Sequence, residues 1–238
     1  MKDLGGKVIA MLRVLVLLSS LIFLLSSFII SNGIKNVGTK NKDYITVKGL
    51  SEREVISNSS SWNLQYELVG NTVNEINRLN NANLMAVREF FVSYGFSEND
   101  IKIASMNFNI GNYQGTLYKY SAYVSLNVYT KDIDKMEQAS NNIIKLYNKG
   151  VLLTSNIGPN YYFDKINDVK PEMLADSVKN AKLAALEFAN NSGATLGKIK
   201  NANQGYFEFL PVDRSLGNHE LYSKKILRVV TTVSYYVD

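Results

Sequence analysis

"SWNLQYELVGNTVNEINRLNNANLMAVREFFVSYG", residues 61–95, changes its period part-way along. Up to Gly70 it alternates, placing Trp62, Leu64, Tyr66 and Leu68 on one face, which is the pattern of a half-buried strand. From Thr72 onward the apolar residues recur at helical spacing, as Val73, Ile76, Leu79, Val87, Phe91 and Tyr94. Thr72 and Glu75 have capping-box spacing, and Gly95 marks the helix end. Trp62, the only tryptophan, reads as a core anchor rather than a ligand-stacking ring.

The pattern continues outward from that unit. Residues 97–113 lead into a strand, "GNYQG" at 111–115 is a hairpin turn, and 117–130 form a longer strand. A second helix is predicted over 132–150, with Ile133, Met136, Ala139, Ile143 and Tyr147 in register, followed by a strand over 151–163. The order from residue 61 is β-α-β-β-α-β, the split βαβ arrangement of ferredoxin-like units. Upstream, 44–50 and 53–58 read as strands around a tight connection.

Downstream lies "NDVKPEMLADSVKNAKLAALEFANNSGATLG" (167–197), a helix predicted over 169–192. Pro171 suits the first turn, Asn167 or Asp168 the cap, and Gly193 the left-handed stop. Leu174, Val178, Ala181, Ala185, Phe188 and Ser192 follow a four–three spacing on one face. Alanines at 181, 184, 185 and 189 permit close approach to a neighbour. Strands near 197–209 and 225–237 close the chain, and the last is too apolar for an exposed edge. The fold class is therefore α+β: an antiparallel or mixed sheet with a ferredoxin-like βαββαβ core, then a third helix and two C-terminal strands.

The N-terminus is different. After a basic tail (1–13), residues 14–31, "VLVLLSSLIFLLSSFIIS", are apolar and uncharged. Their length fits a transmembrane signal anchor better than a cleaved leader. "SNG" at 31–33 leaves a cleavage site, and hence a secreted alternative, open. Residues 32–43 read as a polar linker and 44–238 as the folded domain. A short tail before one span favours an inside N-terminus and an exported domain.

Lys2, Lys7, Arg13, Lys35, Lys40 and Lys42 against Asp3 and Asp43 give residues 1–43 a net +4, so of the total +5 only about +1 remains on the domain. That argues against nucleic acid as a partner. Tyr118 and Tyr120 on one strand face, with Tyr123 and Tyr129 on the other, invite comparison with RNA-stacking sheets, but the RNP signature is absent.

No reactive constellation emerges, so catalytic, cofactor-binding and metal-ligating residues are all assigned as none. The chain has no cysteine, and its one histidine, His219, lies in the polar stretch "LPVDRSLGNHELYS", which reads as a solvated loop. Asp164, Asp168, Glu172 and Asp176 lack the alternation and central glycine of a calcium loop. Nucleophile-elbow, Walker and dinucleotide fingerprints are missing.

Four stretches carry a family resemblance: "YITVKGLSEREV" (44–55), "FFVSYGFSENDI" (90–101), "YYFDKINDVKPEMLADSVKNAKLAALEFANNSGATLGKIKNANQGYFEF" (161–209) and "KKILRVVTTVSYYV" (224–237). Together they resemble the SIMPL family (DUF541), in its membrane-anchored periplasmic bacterial branch. The departure is "NSSSW" (58–62), where the family often has an acidic residue followed by alanine. The resemblance implies an α+β envelope domain, ring-like or channel-like homo-oligomers in some members, and links to stress tolerance and to immunogenic surface exposure in pathogens. It brings no catalytic residue with it. Two functions follow as expectations: a non-enzymatic, self-assembling envelope protein, or else a periplasmic small-ligand or peptide binding module or an enzyme with an unrecognised site. A self-complementary apolar face favours the first, and a pocket with convergent polar groups the second.

Overall fold

The structure, a computed structural model, describes residues 2–38, 43–111, 117–215 and 217–238. Five helices are present among these, α1 (Lys2–Gly38), α2 (Val73–Ser93), α3 (Ile133–Asn141), α4 (Ile144–Asn148) and α5 (Ile166–Ser192). The strands are β1 (Tyr44–Ile56), β2 (Ser59–Gly70), β3 (Ile101–Ile110), β4 (Tyr120–Thr130), β5 (Leu153–Ser155), β6 (Asn160–Tyr162), β7 (Leu196–Pro211) and β8 (Lys224–Val237). The chain divides into two compact units, residues 48–181 with 203–232, and residues 1–47 with 182–202 and 233–238.

One sheet has the order β3-β4-β2-β5, with β6 also pairing β2. Its ladders are antiparallel, and the order is the ferredoxin-like one expected from the β-α-β-β-α-β reading. Register stacks the apolar residues in rows: Trp62, Val128 and Ile101; Leu64, Leu126 and Ile103; Tyr66, Val124 and Met106; Leu68, Ala122 and Phe108. Beneath these rows lie Ile76, Val87, Phe90 and Phe91 of α2 with Met136, Ala139 and Leu146 of α3 and α4. Trp62 is 1 % exposed, meets Phe91 edge-on at 5.8 Å, and donates from Nε1 to Asn156 Oδ1 at 3.1 Å. It is a core anchor with its one donor satisfied.

Thr72 caps α2, accepting from the Glu75 N–H at 3.2 Å. Gly95 then takes φ +84, the left-handed position its sequence place suggested.

Several boundaries differ from the sequence reading. The second helix is broken into α3 and α4, because the Asn142 N–H turns back to the Ala139 carbonyl and the Ile143 N–H to that of Ser140, while the Asn142 side chain donates to the Gln138 carbonyl. The break shifts the phase, so Leu146 is buried and not Tyr147. The strand expected over 151–163 is two short strands, separated where Gly158 adopts φ +96 and Pro159 has no N–H to give a ladder. Most of the predicted turn at 111–115 lies outside the described residues.

β1 runs unbroken from Tyr44 to Ile56, through residues 51–52 where a tight connection was expected. Within it, Gly49 marks a close approach to α5. The second sheet has the order β1-β8-β7, so the apolar β8 is its middle strand, as its composition required.

α5 begins at Ile166, and Pro171 lies inside it. Asn167 and Asp168 are therefore helical residues and not caps. Ile166, Val169 and Leu174 pack on a cluster of Val55, Met173, Leu227 and Val229. That burial outweighs the single amide bond lost at the proline. The buried stripe is also narrower than expected: Met173, Ser177, Ala181, Ala185 and Ala189, each four residues on from the last. Phe188, expected on that face, is 64 % exposed.

α1 continues through residues 32–38, which the sequence reading assigned to a linker. Within it, Met11–Ser31 is 21 residues of mean hydropathy 2.6, long and apolar enough to cross a membrane.

Candidate functional site

The residues that gather polar and aromatic groups belong to β1, β7, β8 and the segment joining the last two. That segment is tied down locally. Asp213 accepts from the Ser215 N–H at 3.0 Å and from the Tyr222 hydroxyl at 3.2 Å, and these hydrogen bonds hold its carboxyl below the usual range. Arg214, at φ +56, grips Glu52 of β1 through both terminal nitrogens, at 2.7 and 3.4 Å. The Arg214 hydrogen bond chiefly lowers the Glu52 carboxyl, with the charges of Arg214 and Arg228 adding to it. Asn218 then accepts from the Glu220 N–H at 2.9 Å and starts a single 3-10 turn, His219–Leu221.

His219 is half-buried, which corrects the solvated-loop expectation. Its ring lies 5.6 Å from that of Phe209, tilted by 36°. Its Nδ1 is buried with no hydrogen-bond partner among the described residues. Burial first, and then the nearby Lys225 charge, push the imidazole below its ordinary pKa, and Glu220 partly opposes them. The polarity of residues 210–223 hid this placement, because the apolar surface that receives His219 comes from β7.

Lys225 was not singled out from sequence. It is 2 % exposed, its ammonium donates to the Tyr161 carbonyl, and it lies 5.8 Å from the Phe209 ring centre. Burial pushes its pKa down. A signal for it existed: Lys225 is in phase with Leu227, Val229, Thr231, Val233 and Tyr235, all buried on β8. The neighbouring Lys224 made the pair look like an exposed strand end.

Tyr206, Phe207, Glu208 and Phe209 of β7, with His219 and Arg228, line an open cleft of about 790 Å³. Arg228 faces Glu52 Oε1 at 3.7 Å, beyond hydrogen-bond reach, and its Nε has no acceptor among the described residues. Arg214 and Arg228 thus share the one Glu52 carboxylate.

The acidic residues weighed as a string do not converge. Asp164 accepts from the Ser59 hydroxyl at 2.8 Å, while Glu172 pairs with Arg53 at 2.8 Å. Tyr123, weighed for base stacking, sits opposite Glu67, whose carboxylate raises its pKa.

The family model for SIMPL, "Protein of unknown function (DUF541)", matches residues 45–218. The chain belongs to the SIMPL family. The matched part of this SIMPL domain includes Tyr206, Phe207, Glu208 and Phe209 and stops just before His219. No curated protein matches the chain. Among solved structures, a crystal structure of a hydrolase from Listeria innocua is 12 % identical over 79 % of this chain and 92 % of its own, with a TM-score of 0.22. An uncharacterized conserved protein from the same organism is 13 % identical over the same shares, also with a TM-score of 0.22. Scores this low carry no architectural or functional argument for the SIMPL domain.

Proposed function

We propose that this SIMPL protein is a non-enzymatic envelope protein, anchored in the inner membrane by α1 with its domain in the periplasm. It assembles with copies of itself through β3 and serves stress tolerance. The observation that carries the assembly is on β3. Ile103, Phe108 and Ile110 lie on the row that faces the helices, yet they are 49, 45 and 62 % exposed.

β3 is also an edge strand, with β4 as its one neighbour among the described residues. Such an edge presents unpaired N–H and C=O groups beside exposed apolar side chains, a template for another strand. A second copy related by a two-fold axis brings β3 against β3, so one patch serves both subunits. The same contact covers the apolar row, at roughly 25 cal/mol per Å² buried. The anchor is supported by the uncharged span at Met11–Ser31, and the orientation by the short tail before it.

Because the chain has no cysteine, any introduced thiol is unique. Ser105→Cys, Asn107→Cys and Asn109→Cys, each in full-length protein in native membranes, test the pairing by oxidative cross-linking. A covalent dimer strongest at one position, and absent for Lys182→Cys on α5, supports the β3 seam. Equal cross-linking at all four, or none, refutes it. A C-terminal reporter active only in the cytoplasm refutes the orientation.

A further inference from the structure

We infer that a polar recess beside α3 binds a primary aliphatic amine, with its ammonium on Glu137 and its chain against Ile157 and Leu221. This goes beyond self-assembly through β3 and uses none of the same residues.

The recess, of about 490 Å³, lies where α3, the Gly158–Pro159 bend between β5 and β6, and the residues just before β8 come together. Glu137, Ser140 and Asn141 line it from α3, and their spacing of three and four sets them on one side of the helix. Met136 and Ala139 of the same helix are fully buried in the core, which holds that side in place. Tyr161, 5 % exposed, lines the recess from β6, and Ser223 lines it from the far wall, its carbonyl accepting from the Ser57 N–H at 2.8 Å.

Charge decides the head group. Glu137 is the one charged side chain among the described lining residues. The ion pairs of the described residues belong to Arg53, Arg88, Lys135, Lys149, Arg214 and Arg228, and none of them engages Glu137. The nearby Lys225 is buried and donates to the Tyr161 carbonyl. Burial first, and then the Glu137 charge, push the Tyr161 phenol up to about 12, which places the carboxylate near that ring. A carboxylate without a partner draws a cation and repels an anion.

The other polar groups choose among cations. The hydroxyls of Ser140 and Ser223 and the amide oxygen of Asn141 can all accept. A primary ammonium carries three N–H donors for such a set, and a quaternary one carries none. Hydrogen bonds between two ions are the stronger kind.

The rim decides the rest of the ligand. Ile157 is 80 % exposed and Leu221 38 %, two apolar side chains at the edge of a polar recess. An aliphatic chain laid against them leaves water. The volume is that of small-ligand sites. Two sources share this chemistry, a free alkylamine and the amino terminus of a peptide.

The test uses the full chain in zwitterionic nanodiscs, with binding followed by ligand-observed NMR titration. The probes are n-butylamine, methylamine, butyltrimethylammonium and n-butanol, and leucyl-glycyl-glycinamide with a free or an acetylated amino terminus. Butylamine binding about fivefold tighter than both its quaternary analogue and butanol supports the inference, as does the same margin of the free peptide over its acetylated form. The tighter of the two amines identifies the source. Glu137→Gln, which keeps the shape and removes the charge, should weaken that amine about fivefold and leave butanol unchanged. Ile157→Ser should weaken butylamine and leave methylamine unchanged. The inference is overturned if neither amine outbinds its controls, or if amine affinity is unchanged in Glu137→Gln or in Ile157→Ser.

Discussion

Gly49 of β1 lies against Ala181 of α5 so closely that no side chain fits between them. A Cβ on Gly49 would stand 2.8 Å from the Ala181 Cβ, 2.4 Å from the Ala181 amide nitrogen and 1.8 Å from the Ser177 carbonyl oxygen. The obstacles are backbone atoms and a methyl group, which cannot rotate away. Gly49→Ala is therefore expected to cost about 3 kcal/mol, at or above the upper end of ordinary overpacking. Urea unfolding measures it, and a cost under about 0.5 kcal/mol would show that the strand and helix separate freely.

Further along the same stripe, Ala185 is fully buried and Lys182 exposed. Ala185→Leu should cost about 1–3 kcal/mol. Lys182→Ala should stay within about 0.5 kcal/mol. Equal, small effects in urea unfolding would mean that the alanine face is not a packing surface.

His219 is stacked on Phe209, so His219→Ala is expected to cost about 1 kcal/mol rather than the near-zero effect of a solvated side chain. Its imidazole is depressed below the ordinary value of 6.5, so the unfolded chain takes up the proton first. The contribution from the neutral ring is whole above about pH 6.5 and is lost as pH falls through the folded-state pKa. A His219→Gln variant should flatten this part of the stability–pH curve. A wild-type curve identical to that of the variant between pH 5 and 7 would contradict the buried placement.

Lys225 tests a different balance. Its ammonium has one acceptor among the described residues, the Tyr161 carbonyl, and burial lowers its pKa. Lys225→Met removes a desolvated charge, worth several kcal/mol, and forfeits one hydrogen bond, worth about 1–3. We expect a net gain of about 1 kcal/mol at neutral pH, read as a higher urea midpoint. A large loss would show that the Tyr161 contact is worth more than the burial of the charge.

Association through β3 should depend on its apolar row and not on core stability. Phe108 is 45 % exposed, so Phe108→Lys should change monomer stability by less than about 1 kcal/mol while abolishing the cysteine cross-link. A cross-link that persists at full yield would move the seam elsewhere.

Much of the architecture was legible in the sequence. Alternation at Trp62, Leu64, Tyr66 and Leu68 and the helical spacing of Ile76, Val87 and Phe91 belong to residues facing one continuous core, where period reports burial directly. What escaped depends on partners distant in the chain. The close approach at Gly49 went unseen because its crowding comes from Ser177 and Ala181, and Pro171 looked like a start because the packing of Ile166 and Val169 is tertiary. The cleft was less legible still. Its wall joins β7 to a histidine ten residues beyond Phe209 and an arginine further along, with no motif spacing to link them. Only the phase of Lys225 on β8 was available in advance.

The middle place of β8 has a consequence for how the chain comes together. Among the described residues the only sheet neighbour of β1 is β8, and Thr46 meets Ser234 across 188 residues of sequence at 2.8 Å. By contrast, β2 through β6 find their partners within residues 59–162. During synthesis the sheet of β2 through β6 can close while β1, made earlier, waits unpaired for the last strand to arrive. Such distant pairings form late and slowly. A chain stopped short of residue 224 would leave both β1 and β7 without a partner, two sticky edges that invite aggregation or proteolysis.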